Sequence, residues 1–235
     1  IKKKEKNSHQ GQKKAINHQS HLLLSKFTES LPDNLHHKIF IIPNGAEIPA
    51  EVNLNNREKV ILAVGRLEQQ KRFDRLIDAV GKVQDSLRKN GNSVTIAGEG
   101  SLRFELQKQI DALGVQDLIT LLGATPNIEE FYERSDFFVI PSEFEGFGMA
   151  LVEAMSYGLP AIGFRDCNGP NEIIIEEKSG ALVDSTDELA RKIDEWLLLD
   201  LMDFRKYAIL ESEKFTIGKF YRNWERNLKS FLETC

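Results

Sequence analysis

From residue 38 onward, apolar positions follow two rhythms that take turns along the chain. Short β-branched or aromatic runs read as strands: KIFII (38–42), VILAV (60–64), SVTIA (93–97), LITLL (118–122), FFVI (137–140), AIGF (161–164) and ALV (181–183). Between them lie stretches of helical period. In 73–88, Phe73, Leu76, Ile77, Val80 and Val83 fall three or four residues apart, on one face of an amphipathic helix. Similar patterns fill 102–113, 127–134, 149–157 and 186–199. Strands alternating with helices of this length predict βαβ units and a parallel sheet with helices on both faces. VILAV and FFVI carry no polar position, as expected of strands covered on both sides.

The expected fold class is therefore α/β, a Rossmann-like doubly wound parallel sheet over residues 38–202. Two ends stand outside the repeat. Residues 1–37 hold a basic segment, the apolar run HLLL (21–24) and a Pro-containing turn at Leu31–Asp33. They are expected to be the remnant of, or the linker from, another domain. Residues 203–235 are expected to be helical. Phe215, Phe220, Trp224, Leu228 and Phe231 line one side, to pack on the domain or to cross to a neighbouring one.

Composition narrows the class. With 41% hydrophobic and 29% charged residues over 235 positions, the chain can bury a core in one or two domains, which excludes disordered, collagen-like and coiled-coil readings. No apolar run approaches the roughly 18 residues of a membrane helix. Ile1–Lys14 is basic and polar with no apolar core behind it, unlike a secretory signal. Cys167 and Cys235 form no C-x-x-C pair. A cytoplasmic protein is expected. Lys2, Lys3, Lys4, Lys6, Lys13 and Lys14 against Glu5 give residues 1–20 a charge of +5, which leaves −10 on the rest of a chain of net charge −5. An acidic body argues against a nucleic-acid partner, whereas the basic end suits contact with anionic lipid headgroups. All five histidines (His9, His18, His21, His36, His37) lie in the first 37 residues, with no Cys or carboxylate cluster at ligand spacing. No metal is expected, and residues 38–235 hold no histidine to act as a base.

Two segments carry candidate chemistry. Gly65-Arg66-Leu67, followed by Gln70-Lys71, leaves the strand VILAV and opens the helix near Phe73. Ligands of open parallel sheets bind beyond the carboxyl ends of strands. Backbone N–H groups of such a turn, with Arg66 and Lys71, could converge on a diphosphate. The second segment, Glu145 to Glu153, follows FFVI and its Pro141-Ser142 exit. Gly146 and Gly148 let the backbone approach a ligand, and a helix starting near Met149 points N–H groups at the same space. Glu145 and Glu153 are acceptor-only carboxylates suited to sugar hydroxyls. Other sites fail on spacing. Leu151 stands where a third glycine would complete Gly146-x-Gly148, so an NAD-dependent oxidoreductase is disfavoured. No P-loop, G-x-S-x-G elbow or Asp-x-Asp pair occurs.

GRLEQQKRFDRLIDA, SVTIAGEG, ITLLGATPNIEEFYERSDFFVIPSEFEGFGMALVEAMSYGLPAI and NGPNEII resemble the C-terminal domain of glycosyltransferase family 4, over roughly residues 38–200. Members are retaining transferases of the GT-B type, with two facing Rossmann-like domains. The resemblance implies that this domain binds a sugar nucleotide, with UDP-hexose the expected donor and no cofactor. It implies that Arg66 and Lys71, with Gly65 beside them, hold the diphosphate as the leaving group departs. Glu145, with the backbone of Phe147 and Gly148, would meet the donor sugar, so losing Glu145 should leave binding of bare UDP unchanged. Met149, Ala150 and Leu151 would offer N–H groups to phosphate and ribose, Glu153 would take the ribose hydroxyls, and the loop Gly123–Pro126 would lie near the base. The chain departs from the family in having Arg72 where glycine usually follows the motif lysine, which would alter the turn or add a third cation. It also holds at most the last strand and helix of the N-terminal domain, within residues 15–35. It is thus expected to be the donor-binding half of a hexosyltransferase whose saccharide or lipid-linked acceptor sits on the missing domain. The alternative is a nucleotide-sugar-binding domain with no transferase activity.

Overall fold

A computed structural model describes residues 21–22, 40–55 and 57–233; the basic segment, four of the five histidines, the turn at 31–33 and Cys235 lie outside them. Strands β1 (His21–Leu22) and β2 (Phe40–Ile41) pair in parallel as a small separate sheet. Residues 38–39 of the expected strand 38–42 lie outside the described residues, and residues 40–41 form a strand that belongs elsewhere than the main sheet. Pro43, with no N–H to donate, follows it closely, and the chain then turns so that Ala46 bonds with Phe215 and Ile217.

The other six predicted runs form one parallel sheet: β3 (Val60–Val64), β4 (Ser93–Ala97), β5 (Ile119–Gly123), β6 (Phe137–Ile140), β7 (Ala161–Phe164) and β8 (Gly180–Val183). Their spatial order is β5-β4-β3-β6-β7-β8, the order of a doubly wound Rossmann-like fold. Growth of the sheet reverses between β3 and β6, where Ile61 pairs with Phe137 and Leu62 with Phe138. Alternate side chains separate into two cores. Ile61, Ala63, Phe137 and Val139 face one side, under helices α1 (Phe73–Lys82), α3 (Arg103–Leu113) and α7 (Thr186–Trp196). Leu62, Phe138 and Ile140 face the other, under α4 (Ile128–Arg134), α5 (Met149–Ser156) and α8 (Met202–Ser212). Each fully buried Leu, Ile or Phe contributes about 1.5–3 kcal/mol, so these strands need no polar face.

The helix expected over 73–88 is two: α1 ends at Lys82 with Val83 as its C-cap, and α2 (Gln84–Asn90) starts again. Gly81 and β-branched Val83 are poor helix formers, and the Gln84 amide donates to the Gly81 carbonyl at 2.9 Å, closing the first helix. α7 is capped by Ser185, whose Oγ accepts from Glu188 N–H (3.2 Å), while the Glu188 carboxylate reaches back past the cap to accept from Asp184 N–H (2.8 Å). A short α6 (Pro170–Ile173) sits inside NGPNEII. The C-terminal stretch is α8, a 3-10 turn at Glu213–Phe215 and α9 (Ile217–Glu233). Among the described residues no helix is long and apolar enough to cross a membrane.

Candidate functional site

Both candidate segments leave the sheet at its reversal, one from the end of β3 and one from the end of β6. The first loop is fixed from below. Leu67 is fully buried, its N–H donates to Glu99 O (2.9 Å), and its carbonyl accepts from Leu102 N–H (2.9 Å). Glu68 takes both the N–H and the hydroxyl of Ser101, and these two donors hold its carboxyl below the usual range. A 3-10 turn, Gln69–Lys71, then lifts Lys71 toward the second loop. The Lys71 methylenes pass over Gly65, where a Cβ would meet them at an ordinary contact distance of 3.5 Å. Arg66 stands exposed on the rim of the same loop.

The second loop is anchored through Phe147, 4% exposed, whose ring meets Phe215 edge-on at 5.3 Å. Gly169, at φ +97, presses against it from beneath; a Cβ there would lie 2.8 Å from Phe147 O. The loop ends at Gly148, whose φ of +94 suits glycine and which precedes the first turn of α5. Glu143 N–H donates to Gln70 O at 3.0 Å, joining the two loops.

Across that junction, Lys71 Nζ donates to both oxygens of Glu145, at 2.6 and 2.8 Å. Their side chains are 16% and 9% exposed. Ser142, itself buried, donates its hydroxyl to Glu145 Oε1 at 2.7 Å. Cys167 lies under the same carboxylate. Burial first, then the nearby Glu145 and Asp166 charges, push its thiol up to about 12, so it stays neutral.

Lys71, Glu145, Gly146, Phe147, Gly148, Met149 and Ala150 line a depression of about 320 Å³ with Asn44 and Ile140. Met149 also borders a second, of about 530 Å³, which holds Glu153, Glu129, Tyr132, Tyr157 and the 45–49 segment. In it Tyr132 Oη donates to Glu153 Oε2 at 3.1 Å. Tyr132 is 1% exposed and stacks on Tyr157 at 5.6 Å; burial first, then the Glu153 charge, raise its phenol well above the ordinary value. Arg57 donates to the carbonyls of Tyr132, Glu133 and Tyr157, fixing the ends of α4 and α5 that carry this pair.

Thus Lys71, Glu145, Phe147, Gly148, Met149 and Ala150 come together, and Glu153 borders the adjoining space. Gly65, Arg66, Gly123 and Leu151 line neither depression. Gly123 ends the edge strand, where its carbonyl accepts from Gly98 N–H at 2.8 Å. Leu151 is fully buried and its N–H returns to Gly148 O at 3.0 Å, so the open donors of the first turn are those of Met149 and Ala150. Arg72 preserves the turn in spite of its side chain, at φ 50 and ψ 40. Its guanidinium is paired with Asp74, with Glu143 at 3.7 Å, rather than offered as a third site cation. Sequence reasoning missed Ser142, Cys167, Tyr132 and Arg57. Only Ser142 carried a signal, as part of the strand exit. Taken together, the arrangement offers one ammonium and two helix amides beside two carboxylates.

The family model described as "Glycosyl transferases group 1" matches residues 44–214. The chain is 33% identical over 153 residues to the amylovoran biosynthesis glycosyltransferase AmsD of Erwinia amylovora, covering 62% of this chain and 42% of that one. It is 29% identical over 229 residues to the UDP-N-acetylglucosamine–peptide N-acetylglucosaminyltransferase GtfA subunit of Streptococcus parasanguinis, covering 90% and 42%. Among solved structures, an S. aureus TarM mutant in complex with Fondaparinux, alpha-GlcNAc-glycerol and UDP superposes with a TM-score of 0.73 at 26% identity, over 80% of this chain and 39% of that one. The chain therefore spans about two fifths of the length of these relatives.

Proposed function

The chain belongs to the group 1 glycosyl transferases, and from that premise we propose that it is the donor-binding half of a retaining, family 4 hexosyltransferase using UDP-hexose. One observation carries the reading. Lys71, the open amides of Met149 and Ala150, and Glu145 meet in a single depression beside the sheet reversal. Lys71 and the amides, with Arg66 swinging in from the rim, hold the diphosphate and stabilise charge on the departing nucleotide. Glu145 takes donor-sugar hydroxyls, and Glu153, oriented by Tyr132, takes the ribose hydroxyls.

UDP is preferred as the nucleotide because relatives carry it in their names or crystals. The acceptor, a saccharide or a lipid-linked one, is held by a facing domain outside residues 38–202. A lipid-linked acceptor would bring this cytoplasmic enzyme to a membrane face through its basic segment. Calorimetry of the chain with UDP, GDP and UDP-hexose tests the binding role: UDP is expected to bind and GDP to bind more weakly. Binding of neither nucleotide overturns it. Joining the chain to its N-terminal half and assigning the product anomer tests the rest, and an inverted product removes the retaining assignment.

A further inference from the structure

Lys71 and Glu145 are each assigned to a ligand, yet each is the other's strongest partner. The ammonium has three N–H donors, and two of them go to one carboxylate at 2.6 and 2.8 Å. The Glu145 side chain is almost buried, at 9% exposure, and its remaining donor among the described residues is the Ser142 hydroxyl at 2.7 Å on Oε1. A diphosphate that draws Lys71 away therefore strands charge on Oε2 in a place water reaches poorly, which is unfavourable. A sugar attached to that diphosphate reverses the situation, because its hydroxyls can donate to the carboxylate as the ammonium leaves.

We infer that the Lys71–Glu145 pair is a selectivity element: it disfavours the bare nucleoside diphosphate and favours the sugar-bearing one, so that spent nucleotide is expelled. The inference rests on the donor-binding reading above and goes beyond it in one respect. Glu145 acts on affinity for UDP itself, a ligand with no sugar to touch it. Its removal should strengthen UDP binding, in contrast to the indifference that the sequence alone leads one to expect.

The test is calorimetry with UDP on the parent and four variants of the chain. Glu145→Gln keeps the shape of the loop while removing the charge that holds Lys71. It should raise UDP affinity about tenfold, equivalent to about 1.4 kcal/mol. Ser142→Ala should act with the opposite sign. With its second donor gone, Glu145 holds Lys71 more firmly, and UDP affinity should fall severalfold. The third form, Lys71→Met, separates the pair from simple repulsion between a carboxylate and a phosphate. In that background Glu145→Gln should change UDP affinity by less than about twofold, because the coupling has no second partner. Matched circular dichroism and melting curves establish that all forms are folded. Glu145→Gln weakening UDP or leaving it unchanged overturns the inference, as does a gain that survives in Lys71→Met. If no form binds UDP, the donor-binding reading itself fails, a distinguishable result that removes this inference with it.

Discussion

The sharpest test of the local structure is Arg72, which occupies the left-handed region (φ 50, ψ 40) between the Lys71 turn and α1. A side chain there costs about 1–2 kcal/mol relative to glycine. Replacing it with glycine relieves that strain but adds unfolded-state freedom worth about 0.4–1 kcal/mol. It also removes the Arg72–Asp74 pair, 27% and 44% exposed, which contributes about 0–1 kcal/mol at such exposure. These effects nearly cancel, so Arg72→Gly should fall within about 1 kcal/mol of the parent. Arg72→Ala loses the pair and keeps the strain, and should be about 1 kcal/mol less stable than Arg72→Gly. That order inverts the preference of a helix interior, where Ala exceeds Gly by about 1 kcal/mol. Urea denaturation with a shared slope measures it directly. Equal or greater stability of Arg72→Ala would refute the strained-turn argument. The same variants address charge. Because Asp74 holds the guanidinium, UDP affinity should stay within about twofold, or roughly 0.4 kcal/mol. A tenfold loss would make Arg72 a third ligand cation.

Further outcomes follow from the packing. Arg205, buried on α8, donates to the carbonyl and carboxylate of Asp136 beside β6. Arg205→Met should cost about 3 kcal/mol in denaturant unfolding, at the low end for a broken buried pair because Asp136 is 21% exposed; a loss under about 0.5 kcal/mol would show that the pair does not hold α8 to the sheet. Tyr132→Phe removes one donor from Glu153 and should weaken UDP by about 0.5–1.5 kcal/mol while leaving inorganic pyrophosphate unaffected, as calorimetry can check. Cys167 titrates in the direction set by burial. The folded thiol is raised to about 12 from 9.0, so the unfolded chain loses its proton first. Its contribution to stability is complete below pH 9 and is lost as pH rises toward 12. Denaturation midpoints of the parent should therefore fall more steeply over that window than those of Cys167→Ala, and parallel curves would contradict the burial argument.

How much of the fold could be read in advance depends on where the deciding force is local. The apolar run 60–64 appears as a strand at the expected position because burial on both faces leaves no polar site to disguise it, and 93–97 does so through the β-branched Val94, Thr95 and Ile96. Residues 118–122 shift by one, to 119–123, where Gly123 at φ +88 ends the strand next to Gly98. KIFII has the composition of a main-sheet strand, yet its residues 40–41 pair in the small sheet instead. Its neighbours in the small sheet, His21 and Leu22, come from a segment whose pattern gave no reason to pair there. The break at Val83 was equally hidden. The spacing of Phe73, Leu76, Ile77, Val80 and Val83 continues unbroken in projection, Gly81 and Val83 weaken the helix without marking its end, and the Gln84–Gly81 hydrogen bond shows where it stops.

The site divides along the same line. Residues within one segment, such as Glu145 to Met149, could be grouped from spacing because a glycine-flanked strand exit leads into a helix whose first amides point one way. The relation between segments could not be read. Lys71 and Glu145 are 74 residues apart, and nothing in either loop signals that they close on each other. Each looks like a ligand group waiting for a partner. Only the β3–β6 pairing, which sets Ile61 beside Phe137, brings the ends of their strands to one place. Two of the missed residues share this property. Tyr132 and Arg57 act on site groups through hydrogen bonds formed where elements meet, and Arg57 reaches carbonyls 75, 76 and 100 positions away, whereas Ser142 bonds Glu145 within one loop. A motif can therefore display the groups that face a ligand, while the groups that hold them in place appear only when the sheet is assembled. Since it is the holding that makes Lys71 less available to bare diphosphate, the selectivity argued above belongs to the fold rather than to either motif.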